Sequence, residues 1–134
     1  MAGQHIKKML SRTYVLIDEE APETILGFYT VAIRAMTPIS ELPATMQRRL
    51  PPNVPGFTLG RLAVSREAQG QGWGEYLLAH AMRRICQAAE SVGGAFMFVD
   101  AKDAEAAAFY AKYDFSPTPS DQLRLLKPIA EIPA

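Results

Sequence analysis

The sequence predicts a mixed α/β domain, and three observations carry that expectation. Apolar, β-branched runs alternate with helical patterns, one of those patterns is a long amphipathic stripe, and a glycine-rich join leads from a strand into it. With 134 residues, 49% of them hydrophobic, the chain can bury one sizeable core, so residues 1–134 are expected to form a single domain.

The elements follow in order. "TYVLID" (13–18) and "ILGFYTVAIRAM" (25–36) are β-branched and aromatic, and with "EEAPET" between them they read as a hairpin. Prolines at 38, 43, 51, 52 and 55 make the next stretch a surface excursion, with room for a short helix in "ISELPATMQRRL". "FTLGRLAV" (57–64) is the next strand. Leu77, Leu78, Ala81, Met82, Ile85, Ala88 and Ala89 then recur at helical spacing and predict a helix that stops near Gly93 and Gly94. "AFMFVDA" reads as a buried strand, "DAEAAAFYAKY" as a helix capped by Asp103, and "QLRLLKPI" as a last strand. The middle strand–helix–strand unit should be a parallel, right-handed crossover.

Charge and cysteine usage narrow the function classes. Lys+Arg and Asp+Glu each number 14, so no global basic field draws the chain to nucleic acid or anionic lipid; a polyanion would have to be met by local patches. The one cysteine, Cys86, excludes an internal disulfide framework and reads as a small core residue. No apolar run approaches the roughly 20 residues of a membrane span, and the start lacks a signal-peptide pattern, which points to the cytoplasm.

The join "RLAVSREAQGQGWGEYLL" (61–78) holds Gly70, Gly72 and Gly74 between strand and helix. Glycine reaches positive φ cheaply and lets a ligand approach the backbone, and a helix start offers unpaired N–H groups, so the segment suits an anion such as a phosphate. The alternating glycines cannot be written as G-x-G-x-x-G, and no Gly-Lys-Ser/Thr follows, which excludes the dinucleotide fingerprint and the P-loop.

Gln69, Gly72 and Gly74 do write Q-x-x-G-x-G, and here the sequence resembles the GNAT N-acetyltransferases, whose loop of this pattern holds the pyrophosphate of acetyl-CoA. "SRTYVLID", "GRLAVSREAQGQGWGEYLL" and "AFYAKYDFSP" resemble in particular the toxin branch of that family, paired with ribbon-helix-helix antitoxins and acetylating the α-amine of aminoacyl-tRNA. The resemblance implies a mostly antiparallel mixed sheet with central splayed strands and flanking helices. It also implies that Leu62, Ala63 and Val64 bind the acetyl carbonyl and pantetheine arm, and that Gln69, Gly70, Gln71, Gly72 and Gly74 form the pyrophosphate loop. Trp73 packs either beside the cofactor or into the core. By spacing, Ala106, Phe109, Tyr110 and Tyr113 read as a core stripe; the resemblance makes Tyr110 the acid that protonates the departing thiolate.

Many members of the family place a glutamate base on the splayed strand, and "FTLGRLAV" has no carboxylate. That favours an acceptor amine of low pKa, about 7.7–8 for an α-amine against about 10.4 for lysine. Asp100 is either a base or a cap of the following turn. Lys7, Lys8 and Arg12, Arg48 with Arg49, and Arg83 with Arg84 are the clusters that could meet tRNA phosphates, although each alone reads as a solvated face. His5 and His80 lack metal-ligand spacing, so no metal is expected, and His80 reads as a helix-surface residue. Only twelve residues precede "TYVLID", so the family's N-terminal strand–helix layer is expected to be missing, and a sheet edge left open would favour a homodimer. Two other readings stay open: acetylation of a small-molecule or protein amine, and a shortened module that binds CoA without turnover.

Overall fold

The computed structural model describes residues 2–8 and 11–133, with side chains from Arg12 onward except those of Ala35 and Val92. The strands are β1 (Ala2–Lys8), β2 (Ser11–Asp18), β3 (Ala21–Pro38), β4 (Asn53–Val64), β5 (Phe96–Asp100), β6 (Ser116–Thr118) and β7 (Asp121–Pro128). Helix α1 (Trp73–Val92) joins β4 to β5, and α2 (Ala104–Ala111) follows β5. The strands form one sheet in the order β1-β2-β3-β4-β5-β7-β6. Among the described residues only β4 and β5 pair in parallel.

The predicted hairpin is β2–β3, but its turn is tighter than "EEAPET". The Asp18 carboxylate accepts the Glu20 N–H at 2.9 Å, and the strand resumes at Ala21. The excursion shrinks to residues 39–52 and carries two short 3₁₀ turns, Ile39–Glu41 and Ala44–Met46, in place of a short helix. β1 is a strand that the sequence does not announce. It pairs with β2, and no helix lies between them among the described residues. β6 is likewise unannounced and pairs with β7.

Strand alternation divides the core between the two faces of the sheet. Tyr14, Leu16, Tyr29, Leu59, Val99 and Leu125 fill one face, where Leu77, Leu78, Ala81 and Ile85 of α1 and Tyr110 of α2 pack on them. Met82, Cys86, Ala88 and Ala89 line the margin of that cluster, half-buried. On the other face Phe96, Phe98, Val54 and Leu126 are covered by Leu42, from the excursion. Burying a Leu or Phe side chain stabilises by about 1.5–3 kcal/mol, so this small second cluster is enough to hold the proline-rich segment down.

The sheet opens at its centre. β4 and β5 pair only from Gly56↔Phe96 to Leu59↔Val99, whereas β3 follows β4 as far as Gly27↔Val64. Between Thr30↔Arg61 and Val31↔Leu59 the β3 partner skips Gly60, a bulge that bends β4 where it leaves β5. The strands then diverge as a V, with the N-terminus of α1 on one side and α2 on the other.

Candidate active site

The V encloses a cavity of about 760 Å³. Leu62, Ala63 and Val64 of β4, Gln69 and Gly74 of the join, and Tyr110 of α2 all line it, together with Phe28, Asp100, Lys102 and Phe109. Six of the residues expected at the site are thus brought together from three separate segments. Gly70, Gln71 and Gly72 lie on the same loop, exposed and outside the cavity lining. Trp73 turns away: it is half-buried, meets Tyr76 edge-on at 5.7 Å, and packs against the main core.

The loop is shaped as a backbone cradle. Gly70 and Gly72 hold φ of +80° and +87°, in the left-handed region, and a Cβ added at either would meet no atom within 4 Å. Gly72 is the N-cap of α1 and supplies no side-chain cap; the first backbone hydrogen bond of the helix is Tyr76 N–H to Gly72 C=O at 3.0 Å. The N–H groups of the first turn are therefore free to meet an anion at the positive end of a 20-residue helix. The shorter α2 is closed to this use, because the Asp103 carboxylate accepts the Ala106 N–H at 2.9 Å, as the sequence predicts. Gln69 braces the loop by donating its Nε2 to the Val64 carbonyl at 3.2 Å. The open glycine cradle and uncapped helix suit a diphosphate, and the diverging β4 edge suits a chain carrying amides.

Tyr110 is buried, with its ring edge-on to Phe109 and Phe115 at 5.3 and 5.7 Å. Its hydroxyl has no hydrogen-bond partner among the described residues, yet no buried polar side-chain atom there lacks one, so the hydroxyl keeps solvent contact through the cavity. Burial pushes its pKa up to about 12. At neutral pH it holds its proton and is a donor.

Other candidates resolve differently. Asp100 lines the cavity but is bound to Arg124 on the neighbouring strand at 2.9 Å, and Asp103, not Asp100, caps the turn. His80 is no simple surface residue. Its Nδ1 shares a hydrogen bond with the buried Tyr29 hydroxyl at 2.6 Å, and burial lowers its pKa. Arg84 is occupied, donating to the Tyr14 hydroxyl at 3.1 Å and to Gln87, while Arg83, Arg48 and Arg49 are exposed. The side chains of Lys7, Lys8 and His5 lie outside the described set. No group of acidic, His and Cys side chains among the described residues could hold a metal ion, and no helix there is long and apolar enough to cross a membrane. Sequence reasoning missed Arg61, whose β4 position directly after the bulge at Gly60 puts it on the cavity wall. Only its place next to the glycine in "FTLGRLAV" hinted at that.

A mixed sheet split beside an uncapped glycine-rich helix start is the architecture of an acyl-CoA-binding transferase. Residues 10–117 match the acetyltransferase (GNAT) domain, and the chain belongs to that family. A tRNA-acetylating toxin of Mycobacterium tuberculosis is 40% identical over 102 residues, 76% of this chain and 61% of the toxin, so the match spans somewhat under two thirds of that relative. Among solved structures, AtaT complexed with acetyl-methionyl-tRNAfMet superposes with a TM-score of 0.83 at 35% identity, covering 92% of this chain and 74% of AtaT. A mutant AtaT bound to acetyl-CoA and the C-terminus of the antitoxin AtaR gives a TM-score of 0.74 at 35% identity, covering 91% of this chain and 70% of that one.

Proposed function

We propose that residues 1–134 form one acetyltransferase domain that transfers the acetyl group of acetyl-CoA to the α-amine of an aminoacyl-tRNA, as the toxin of a toxin–antitoxin pair acting in the cytoplasm. The observation that carries this reading is the buried Tyr110, its hydroxyl without a hydrogen-bond partner among the described residues, in the cavity that ends at the open cradle of α1. The likeness to a tRNA-acetylating toxin and to AtaT complexed with acetyl-methionyl-tRNAfMet supports the choice of acceptor. An antitoxin is the proposed partner, on the precedent of AtaT with AtaR, and the sequence resemblance makes it one of the ribbon-helix-helix type. Homodimerisation would use an outer strand, β1 or β6.

Acetyl-CoA supplies an acetyl group activated as a thioester. Gly70, Gly72 and the first N–H groups of α1 would hold its diphosphate, Leu62, Ala63 and Val64 would offer backbone to the pantetheine arm, and Trp73 would pack the loop from the core side. The Tyr110 Oη–H gives its proton to the departing sulfur and regains one from the acceptor nitrogen. A phenol with a pKa near 12 does not ionise alone at neutral pH, so giving and regaining must be closely coupled. No ionised carboxylate on β4 stands ready to deprotonate an ammonium, which fits an α-amine that is partly neutral near pH 8.

The test is transfer of labelled acetyl from acetyl-CoA to charged tRNA, uncharged tRNA and a panel of free amines. Label on charged tRNA alone is the expected result. Label on a free amine and none on charged tRNA would replace the acceptor.

A further inference from the structure

The hydroxyl of Tyr113 donates to the Glu75 carboxylate at 2.6 Å, across 38 residues of sequence. Glu75 lies in the first turn of α1, beside the cradle, and Tyr113 lies in the turn that ends α2, three residues after Tyr110. Tyr113 is held at every point. Its N–H donates to the Tyr110 carbonyl at 2.9 Å, its ring meets Phe109 edge-on at 5.3 Å, and its carbonyl accepts from the ammonium of the buried Lys127 at 3.0 Å. Phe109 in turn lies against the start of α1, where a Cβ added to Gly74 would stand 3.7 Å from the Phe109 ring. Two contacts therefore tie the end of α2 to the start of α1, and Lys127 ties it to β7.

We propose that the Glu75–Tyr113 bridge is a positioning device that fixes the helix carrying Tyr110 against the helix start that holds the cofactor diphosphate. It rests on the function proposed above. The two walls of the cavity come from different helices, joined at this end by the packing of Phe109 on Gly74 and by the Glu75–Tyr113 bridge. Without a strut, α2 could shift its hydroxyl relative to a ligand anchored on α1. The cradle itself is made of the backbone of the glycine loop and of the first turn of α1, so it survives loss of the bridge; the placement of Tyr110 does not. The bridge also turns the Glu75 carboxylate toward a donor, which reduces its repulsion of a diphosphate next to it. Tyr113 and Glu75 are positioning residues and touch no reacting atom.

The test compares Tyr113→Phe, Glu75→Ala and Glu75→Gln in the acetyl-transfer assay, with acetyl-CoA affinity measured alongside. Displacing a catalytic group by a fraction of an ångström lowers rate more than binding, so Tyr113→Phe and Glu75→Ala are expected to lower kcat about tenfold with the KM for acetyl-CoA within about twofold. Glu75→Gln keeps an acceptor oxygen for the hydroxyl and should restore most of kcat. In a Tyr110→Phe background, Tyr113→Phe should cost nothing further. An unchanged kcat in Tyr113→Phe, or the same loss with and without Tyr110, would overturn the proposal. If the wild-type protein acetylates no acceptor, the function proposed above fails, and the bridge is then judged by amide hydrogen exchange with CoA added. CoA bound on α1 should slow exchange in α2 of the wild type and not of Tyr113→Phe. Equal slowing in both would overturn the bridge.

Discussion

Gly27 offers the sharpest test of how the cavity wall is held. It sits on β3 opposite Val64, beneath α1, and a Cβ there would stand 2.7 Å from the Ala63 carbonyl oxygen and 2.9 Å from Leu77 Cδ1. Carbon atoms rest about 3.5–4.0 Å apart, so in Gly27→Ala the Leu77 methyl must retreat by roughly 0.6 Å. The Ala63 oxygen belongs to the backbone and cannot rotate away, so the strand itself must move. Overpacking of this kind costs about 1–3 kcal/mol, and the reduced freedom of the unfolded alanine chain returns about 0.4–1 kcal/mol. The net is a destabilisation of about 1–2 kcal/mol, which for a domain of this size lowers Tm by about 4–7 °C. Thermal denaturation measures it. The relief route matters for function too, because Ala63 lines the cavity; strain of about 1 kcal/mol passed to the proposed binding geometry would weaken acetyl-CoA about fivefold, read by calorimetric titration. A variant that melts within about 1 °C of the wild type, or above it, would refute the tight seating of α1 on β3 and β4.

Three further outcomes follow from the geometry. Tyr110→Phe should lower kcat about 10²–10³-fold while acetyl-CoA affinity stays within about twofold, and a single-turnover assay that finds normal rates would remove the acid role from this residue. Gly72→Ala places a side chain at φ +87°, at a cost of roughly 1–2 kcal/mol, and puts a methyl into the open cradle; acetyl-CoA affinity should fall, and titration of the variant checks it. His80 has its pKa lowered, first by burial and then by Arg83 and Arg84, so the unfolded chain takes up the proton before the folded one does as pH drops below about 6.5. Its contribution is fully present above that pH and declines toward the folded-state pKa. Melting curves at pH 7.5 and 5.5 should show His80→Gln losing less stability on acidification than the wild type, and equal losses would contradict the burial of the ring.

Local signals made some of this structure legible. The α1 stripe, the Asp103 cap and the β2–β3 hairpin depend on spacing and side-chain chemistry within a few residues, and those patterns survive in any tertiary setting. β1 does not: "AGQHIKK" shows no apolar alternation, and pairing with β2 makes it a strand. β6 is three residues long, below what periodicity can register. Pro38 and Pro55 suggested that strands stop near them, yet both sit inside strand ends. At the candidate site the glycine loop could be read because its chemistry is carried by contiguous residues. The pairing of Glu75 with Tyr113 could not, since no spacing rule links residues 38 apart and their meeting is a product of how α1 and α2 come together. His80 was misjudged for a related reason: a polar residue on the flank of an apolar stripe looks solvated until a buried Tyr29 reaches it from the sheet.

The sheet order, which follows the chain from β1 to β5 before β7 and β6 exchange, bears on how the protein folds. β2, β3 and β4 are sequential antiparallel neighbours, although the excursion lengthens one connection, whereas the parallel join of β4 to β5 must wait for α1 and closes over only four residue pairs. Contacts near in sequence form ahead of distant ones. The meander of β2 to β4 is therefore expected to be structured in the folding transition state and the β5–β7 half to dock onto it late, so that truncating Leu16 should slow folding while truncating Val99 should mainly speed unfolding. A chain caught before docking would expose the β4 edge along its whole length, and the step that completes the ligand cavity would be the same step that hides it.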